Sequence, residues 1–314
     1  MAVTTHDPFP ADGTVITDGG LETWLLFQNG VDLPAFAAYP LVDSDFGRRL
    51  LLEYYGMFVD IATRHGAGIQ LEAPTWRANP EWAATLGHDR DELARLLDLS
   101  IGLIGQVKEG WHGAGPCILG GVVGPRGDGY RVGATMSATE AEDYHTFQIA
   151  RMAAAGAEVV SALTLGYVDE AIGVVQAARA AALPVVISFT LETDGRLPSS
   201  MPLDEAIDAV DSATEAYAAH YMINCAHPTH FVGIPVPGSA SAARIGGLRA
   251  NASALSHAEL DEMTELDDGD PADLAARYLA LRASLPGVRV LGGCCGTDDR
   301  HVAAIASAWL GSGD

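Results

Sequence analysis

Two cysteines stand side by side in "VLGGCCGTDD", Val290 to Asp299, and a third, Cys225, sits in "INCAHPTHF". Such thiols have three chemistries open to them: a disulfide, burial as small apolar groups, or ligation of a metal as thiolates. A bridge between Cys294 and Cys295 is disfavoured, because closing a ring across neighbouring residues strains the peptide between them. Burial suits free cysteine, whereas thiolates aimed at one point suit a soft divalent ion. Cys117 opens the apolar run "CILGGVVG" and reads as ordinary packing, while His227 and His230 follow Cys225 closely enough to be rival ligands. Asp18, in "TVITDGG", closes a short apolar run, where a carboxylate either caps a turn or meets a substrate.

Which chemistry is available depends on where the chain places these residues. The 314 residues are 48% hydrophobic, enough for a large core. An α/β barrel commonly uses about 250 residues as one unit. No apolar run reaches the roughly 20 residues that span a bilayer, so no membrane partner is expected. The N-terminus, "MAVTTHDPFPADG", has neither the basic start nor the apolar stretch of a signal peptide, which predicts a cytoplasmic protein. In that reducing setting the four cysteines are expected as free thiols or metal ligands rather than a disulfide framework. A formal charge of −23 with no basic cluster excludes nucleic acid as the expected partner. An acidic field of this kind serves solubility, and it also attracts cations.

Short apolar runs alternate with helical patterns along the whole chain. "TVITDGG", "AGIQLEA", "CILGGVVG", "AEVVSALTL", "PVVISFT", "HYMINCA", "ARIGGLRANA" and "VRVLGGCC" read as eight strands. Segments such as "DFGRRLLLEYYGMFVDIATRHG" and "RDELARLLDLSIGLIGQVKEG" carry helical periodicity between them. Ser137 and Glu140 have capping-box spacing at the head of "SATEAEDYHTFQIARMAAAG", which runs to Gly156. Near-continuous apolar strands joined by helices predict parallel pairing, and the count fits a closed (β/α)8 TIM barrel. An open doubly wound sheet is disfavoured because no G-x-G-x-x-G follows the first strand. Residues 227–247, rich in Pro, Gly, Ser and Ala, read as a long loop over the mouth, and the acidic "LSHAELDEMTELDDGD" as a solvated excursion.

In such a barrel the C-terminal ends of the strands converge on one face. Cys225 ends the sixth strand and Cys294 and Cys295 end the eighth, so three thiols gather there despite their distance in sequence. Zn²⁺ favours sulfur in tetrahedral geometry, and three protein ligands leave an open position of the catalytic kind. Cys117 begins its strand and belongs to the opposite end.

The successive segments "TDGGLET", "LEAPTWRAN", "GVVGPRGDGY", "INCA", "RANAS" and "LGGCCGT" resemble the motifs of the homocysteine S-methyltransferase family, in the family's order, from about Gly13 to Ala306. The resemblance implies that residues 1–314 form a single methyltransferase barrel domain in which Cys225, Cys294 and Cys295 hold zinc and the acceptor thiol is the fourth ligand. It further implies catalytic roles for Asp18, Glu72 and Thr164. Asp18, Gly19, Gly20, Glu72, Thr164, Asn224 and Asn251 are the implied substrate contacts. The reaction would move a methyl group from a sulfonium donor, S-methylmethionine or S-adenosylmethionine, to homocysteine, giving methionine.

One position departs from the family pattern. The fourth strand usually ends in Glu-Thr, the glutamate holding the substrate's amino group, but in "SALTLGYVDEA" Leu163 precedes Thr164. Asp169, Glu72 or Asp18 must then hold the ammonium, or the acceptor is a different thiol. Two further readings stand beside the first: the same chemistry with another acceptor or donor, and a non-catalytic zinc- or thiol-binding barrel.

Overall fold

Strands that are apolar on both faces must be covered on both, and a parallel barrel wrapped in helices achieves this. The computed structural model of the chain, which describes residues 8–311, has that architecture. Its strands are β1 (Val15–Ile16), β2 (Gly68–Glu72), β3 (Cys117–Val123), β4 (Val159–Leu165), β5 (Val185–Phe189), β6 (His220–Asn224), β7 (Ile245–Ala250) and β8 (Val290–Gly293). They pair in sequence order and close, with Val15 opposite both Gly68 of β2 and Val290 of β8. The ring of helices comprises α1 (Asp45–Arg64), α2 (Arg90–Glu109), α3 (Ala138–Ala155), α4 (Val168–Ala180), α5 (Leu203–Thr214), α6 (Ala240–Arg244), α7 (Pro271–Leu281) and α8 (Asp299–Gly311). The expected (β/α)8 barrel is the observed fold. α3 begins with both hydrogen bonds of the Ser137–Glu140 capping box and stops at Gly156, whose φ of 105° only glycine adopts readily.

The barrel interior changes character along its axis. Val15, Ile118, Val159, Val186, Met222 and Val290, from six strands, form an apolar cluster separate from the larger layer between barrel and helices. Side chains in a strand alternate, so the residues two positions on share that interior. They include Thr17, Ser161, Ser188 and Asn224, all buried and polar. Gln70 joins them by donating to Ser161 Oγ at 2.9 Å. An apolar floor thus gives way to a polar layer beneath the strand ends.

Two expectations need correction. Residues 227–247 are not one long loop: they hold a 3-10 turn at Pro228–His230, then α6, and their last residues already belong to β7. Ser239 starts α6 by accepting from Ala242 N, a local cap that the Ser/Ala-rich composition conceals. The acidic segment 255–270 is not merely solvated, since it forms a capped helical turn at His257–Asp261 and buries His257. β1 is two residues long, and the chain then leaves the sheet for the glycine-containing turn read from "TVITDGG". Residues 1–7 of the N-terminal stretch that argued against a signal peptide lie outside the described residues. Among those described, no helix is long and apolar enough to cross a membrane.

Phe9 packs edge-on against His220 at the foot of the barrel, with ring centroids 4.7 Å apart. Neither ring nitrogen of this buried histidine has a hydrogen-bond partner among the described residues. Burial, reinforced by Arg289 and Arg244, pulls its pKa down from 6.5 to about 3. The unfolded chain takes up this proton below about pH 6.5 while the folded chain does not, so His220 costs nothing above that pH and destabilises the fold increasingly as pH falls toward 3. Denaturant midpoints measured at pH 7 and pH 4.5 should therefore differ less in His220→Gln than in the parent. The same pH dependence in both proteins would remove His220 as the source.

Candidate metal and thiol site

β6 and β8 flank β7, so the residues that follow them emerge close together. The sulfurs of Cys225, Cys294 and Cys295 all lie within 4.8 Å of one another. Asn224 and Cys225 are neighbours, yet both line one inner cavity, which strict alternation forbids. The left-handed backbone of Cys225 (φ 51°) breaks the alternation. Leu163 and Thr164 do the same on β4, where Thr164 has φ 65° and the pairing with β5 shifts register.

The cysteines are not all free, contrary to expectation: Cys225 and Cys294 form a disulfide, their Cα atoms 5.4 Å apart. Barrel closure alone brings these two strand ends to the separation a bridge spans. The neighbours Cys294 and Cys295 are unbridged, and Cys295 is a free thiol. Metal binding at this place requires the bridge to be reduced to two thiolates. The arrangement otherwise fits an ion: Cys225 Sγ and Cys295 Sγ are 3.9 Å apart. Tetrahedral zinc with bonds of about 2.3 Å spaces its sulfurs by about 3.8 Å. His227 and His230 do not join the cluster, since they bond Thr229 Oγ1 at 2.8 Å and Ala254 O at 3.0 Å. Cys117 lies at the start of β3, and its half-buried thiol is pushed up to about 11 by burial.

Asp18 and Glu72 line the inner cavity as expected, but their carboxylates face a residue that sequence reasoning missed. Arg249, buried on β7, forms ion pairs with both. Tyr54 donates to Asp18 Oδ2 at 3.2 Å and Gln70 to Glu72 Oε1 at 3.0 Å. Burial pushes the Asp18 carboxyl up, against the opposing pull of Arg249 and Tyr54. A lone arginine in the otherwise apolar run "IGGLRANA" is the signal that could have flagged this partner. Asp169, the other suggested holder of an ammonium, is exposed on α4 and does not line the cavity. Glu22, also missed, does line it, half-buried and with no ion pair and no hydrogen bond to another side chain among the described residues. Burial raises its pKa to about 7, opposed by its own backbone amide and reinforced by Asp18.

The remaining sequence candidates divide between cavity and scaffold. Asn224 Oδ1 accepts from Thr164 N at 2.9 Å and Ser188 Oγ at 2.6 Å, while its amide donates to Thr164 Oγ1 at 2.9 Å and points to Cys294 Sγ at 3.7 Å. It holds three strand ends together. Gly19 and Gly20 admit the Cys294–Thr297 turn: a Cβ on Gly20 would meet Cys294 O at 2.6 Å, and one on Gly19 would meet Thr297 O at 2.8 Å. Asn251 is buried but does not line the cavity.

A wider outer chamber, about 340 Å³ against about 70 Å³, opens beside the inner one and shares Cys295, Tyr130, Trp76, Phe36 and Thr23 with it. Its walls combine aromatic rings with the carboxylates of Asp128, Asp261, Glu265 and Asp267. The one arginine there, Arg77, lies between the rings of Trp76 and Trp82, 4.0 and 4.2 Å from their centroids. Tyr130 marks the junction, its hydroxyl 3.5 Å from Cys295 Sγ and its ring stacked on His257 at 4.1 Å. Burial, then the Cys295 sulfur, raise the Tyr130 pKa far above its ordinary value, so this phenol is a donor and not a base.

Comparison with known proteins places these features in context. The family model described as homocysteine S-methyltransferase matches residues 15–309. Among solved structures, the oxidized form of the homocysteine methyltransferase MmuM from Escherichia coli superposes with TM-score 0.72 at 20% identity, covering 95% of this chain and 96% of that one. Its metallated form gives TM-score 0.69 at 21% identity, with coverage of 95% and 96%. At these identities the likeness speaks for the fold. A search of curated proteins finds no match.

The cluster yields a direct test by substitution. Under reducing conditions, Cys225→Ala, Cys294→Ala and Cys295→Ala should each weaken retention of a bound divalent metal by at least tenfold, with circular dichroism unchanged, whereas Cys117→Ala should retain the parental metal content. Parental retention by Cys225→Ala, measured by plasma mass spectrometry after dialysis, would remove it from the ligand set.

Proposed function

We propose, from the premise that this chain belongs to the homocysteine S-methyltransferase family and is therefore a methyltransferase, that it moves a methyl group from a sulfonium donor to the thiol of homocysteine at a zinc site held by Cys225, Cys294 and Cys295. The carrying observation is the meeting of three sulfurs in a small inner cavity, one of which, Cys295, also lines a larger acidic, aromatic chamber. Membership of a methyltransferase family removes the non-catalytic barrel as a reading.

Bound zinc would supply a site at which a thiol, with an ordinary pKa near 8.5, is kept as thiolate at neutral pH. The acceptor sulfur then attacks the donor's methyl carbon with a lone pair. The bond from that carbon to the donor's sulfonium sulfur breaks, its electrons stay on the donor sulfur, and both products leave as thioethers without a covalent enzyme intermediate. The chain's own residues have supporting roles. Tyr130 donates toward Cys295 and the Asn224 amide toward Cys294, which fixes both sulfurs and spreads their charge. Trp76, Phe36 and Tyr130 offer ring faces at the junction, and a cation over such a face gains about 0.5–2 kcal/mol. The four acids of the outer chamber favour a cationic donor over a neutral one. Asp18 and Glu72 act through Arg249, holding β1, β2 and β7 in register beneath the site.

Residues 1–314 act as one domain in this proposal, and the need for three thiolates fits a reducing compartment such as the cytoplasm. Leu163 favours a second reading in which the acceptor thiol carries no amino group, because an ammonium facing a leucine at a partly dry site remains unpaired.

Reduced, zinc-loaded protein incubated with homocysteine and, separately, S-methylmethionine, S-adenosylmethionine or betaine should yield methionine with a sulfonium donor at a kcat/KM at least tenfold above betaine. Mass spectrometry showing turnover with betaine alone, or with none of the three, would overturn the assignment.

A further inference from the structure

We infer that Glu22 is the residue that recognises the ammonium group of the acceptor, in the role that Leu163 leaves vacant on β4. This rests on reading the protein as a homocysteine methyltransferase. Leu163 lines the inner cavity and offers nothing to a cation, so a carboxylate from another element must do so if the acceptor is an amino acid. The cavity holds three carboxylates: Asp18, Glu22 and Glu72. Arg249 pairs with Asp18 and with Glu72, and the remaining oxygens of both accept from Tyr54 and Gln70. A substrate ammonium would have to compete with a buried guanidinium for either one. Asp169 is outside the cavity, and the four acids of the outer chamber belong to the larger compartment.

Glu22 is different on each count. It shares the inner cavity with Cys294 and Cys295, and among the described residues it has no ion pair and no hydrogen bond to another residue's side chain, its own backbone amide being its one hydrogen-bond donor. The turn that bears it, Leu21–Thr23, is anchored on both sides: Gly20 N donates to Thr297 O at 3.0 Å, and Gly296 N to Thr23 Oγ1 at 3.1 Å. The residue therefore sits on the same loop assembly that carries the vicinal cysteines. A desolvated carboxylate without a charged partner is costly, and a cationic ligand group relieves that cost. Asp18 and Glu72 both face Arg249, so neither supplies a free oxygen pair.

The test compares homocysteine with its desamino analogue, in which hydrogen replaces the amino group. Glu22→Gln should lower kcat/KM for homocysteine by about 10- to 100-fold, chiefly through KM, while leaving the desamino thiol within about twofold of the parent and the zinc content unchanged. Calorimetric binding of homocysteine without donor should weaken by the same factor. Adding Leu163→Glu to the Glu22→Gln protein should restore much of the preference for homocysteine, which a folding defect would not permit. Equal losses on both thiols, or no loss on either, would overturn the role of Glu22. A parent that binds homocysteine through Glu22 but methylates neither thiol would keep this inference and defeat the proposed activity. A parent that binds neither thiol would defeat both.

Discussion

Closure of the barrel is the constraint from which the site follows. β8 must hydrogen-bond to β7 on one side and to β1 on the other, so the segment after Gly293 is pressed against the loop after Ile16. Gly292 and Gly293 on one strand and Gly19 and Gly20 on the facing loop make this approach possible, because side chains at these positions would collide with backbone or with Thr17 and Thr297. With β7 alone between them, the ends of β6 and β8 then bring Cys225 to Cys294 and Cys295. The same proximity permits two outcomes for the thiols, a disulfide or joint ligation of a metal, and the reduction state selects between them.

Burial of Arg249 is the second organising interaction. A guanidinium removed from water at the end of a strand costs several kcal/mol unless it is paired. Here it lies between two carboxylates, with Nε donating to Gly293 O at 3.0 Å. That arrangement ties β7 to the loop after β1, to β2 and to β8 at the level of the thiol cluster, and it engages the carboxylates of Asp18 and Glu72. With Glu22 as the proposed ammonium partner, acceptor recognition passes from the strand ends to the loop after β1. Leu163 adds no charge to the cavity, and of its three carboxylates Glu22 is the one without an ion pair among the described residues.

The barrel was legible in the sequence because both of its periodicities are local: apolar runs of strand length, and helical repeats closed by signals such as Ser137, Glu140 and Gly156. The metal candidates were legible too, since strand-end cysteines need only the strand order to be placed together. Ion pairs between strands were not. Asp18 and Arg249 are 231 residues apart, and nothing in either neighbourhood announces the other. The left-handed turns at Thr164 and Cys225 were equally hidden, because neither residue type favours that region and only the closed barrel imposes it. Local composition misled at residues 255–270: acidity suggested solvent, whereas His257 packs on Tyr130 and donates from Nε2 to Cys225 O at 2.6 Å. Asp169 was a fair candidate by spacing, but the first turn of α4 carries it outward.

Zinc K-edge X-ray absorption on the reduced, metal-loaded protein addresses the central claim, that three strand-end thiolates leave one position for the acceptor's sulfur. The spectrum should show three sulfur neighbours and one lighter atom at about 2.0–2.3 Å in the resting protein, and four sulfur neighbours once homocysteine is added. Four protein ligands in the resting state, with a spectrum indifferent to homocysteine, would contradict it.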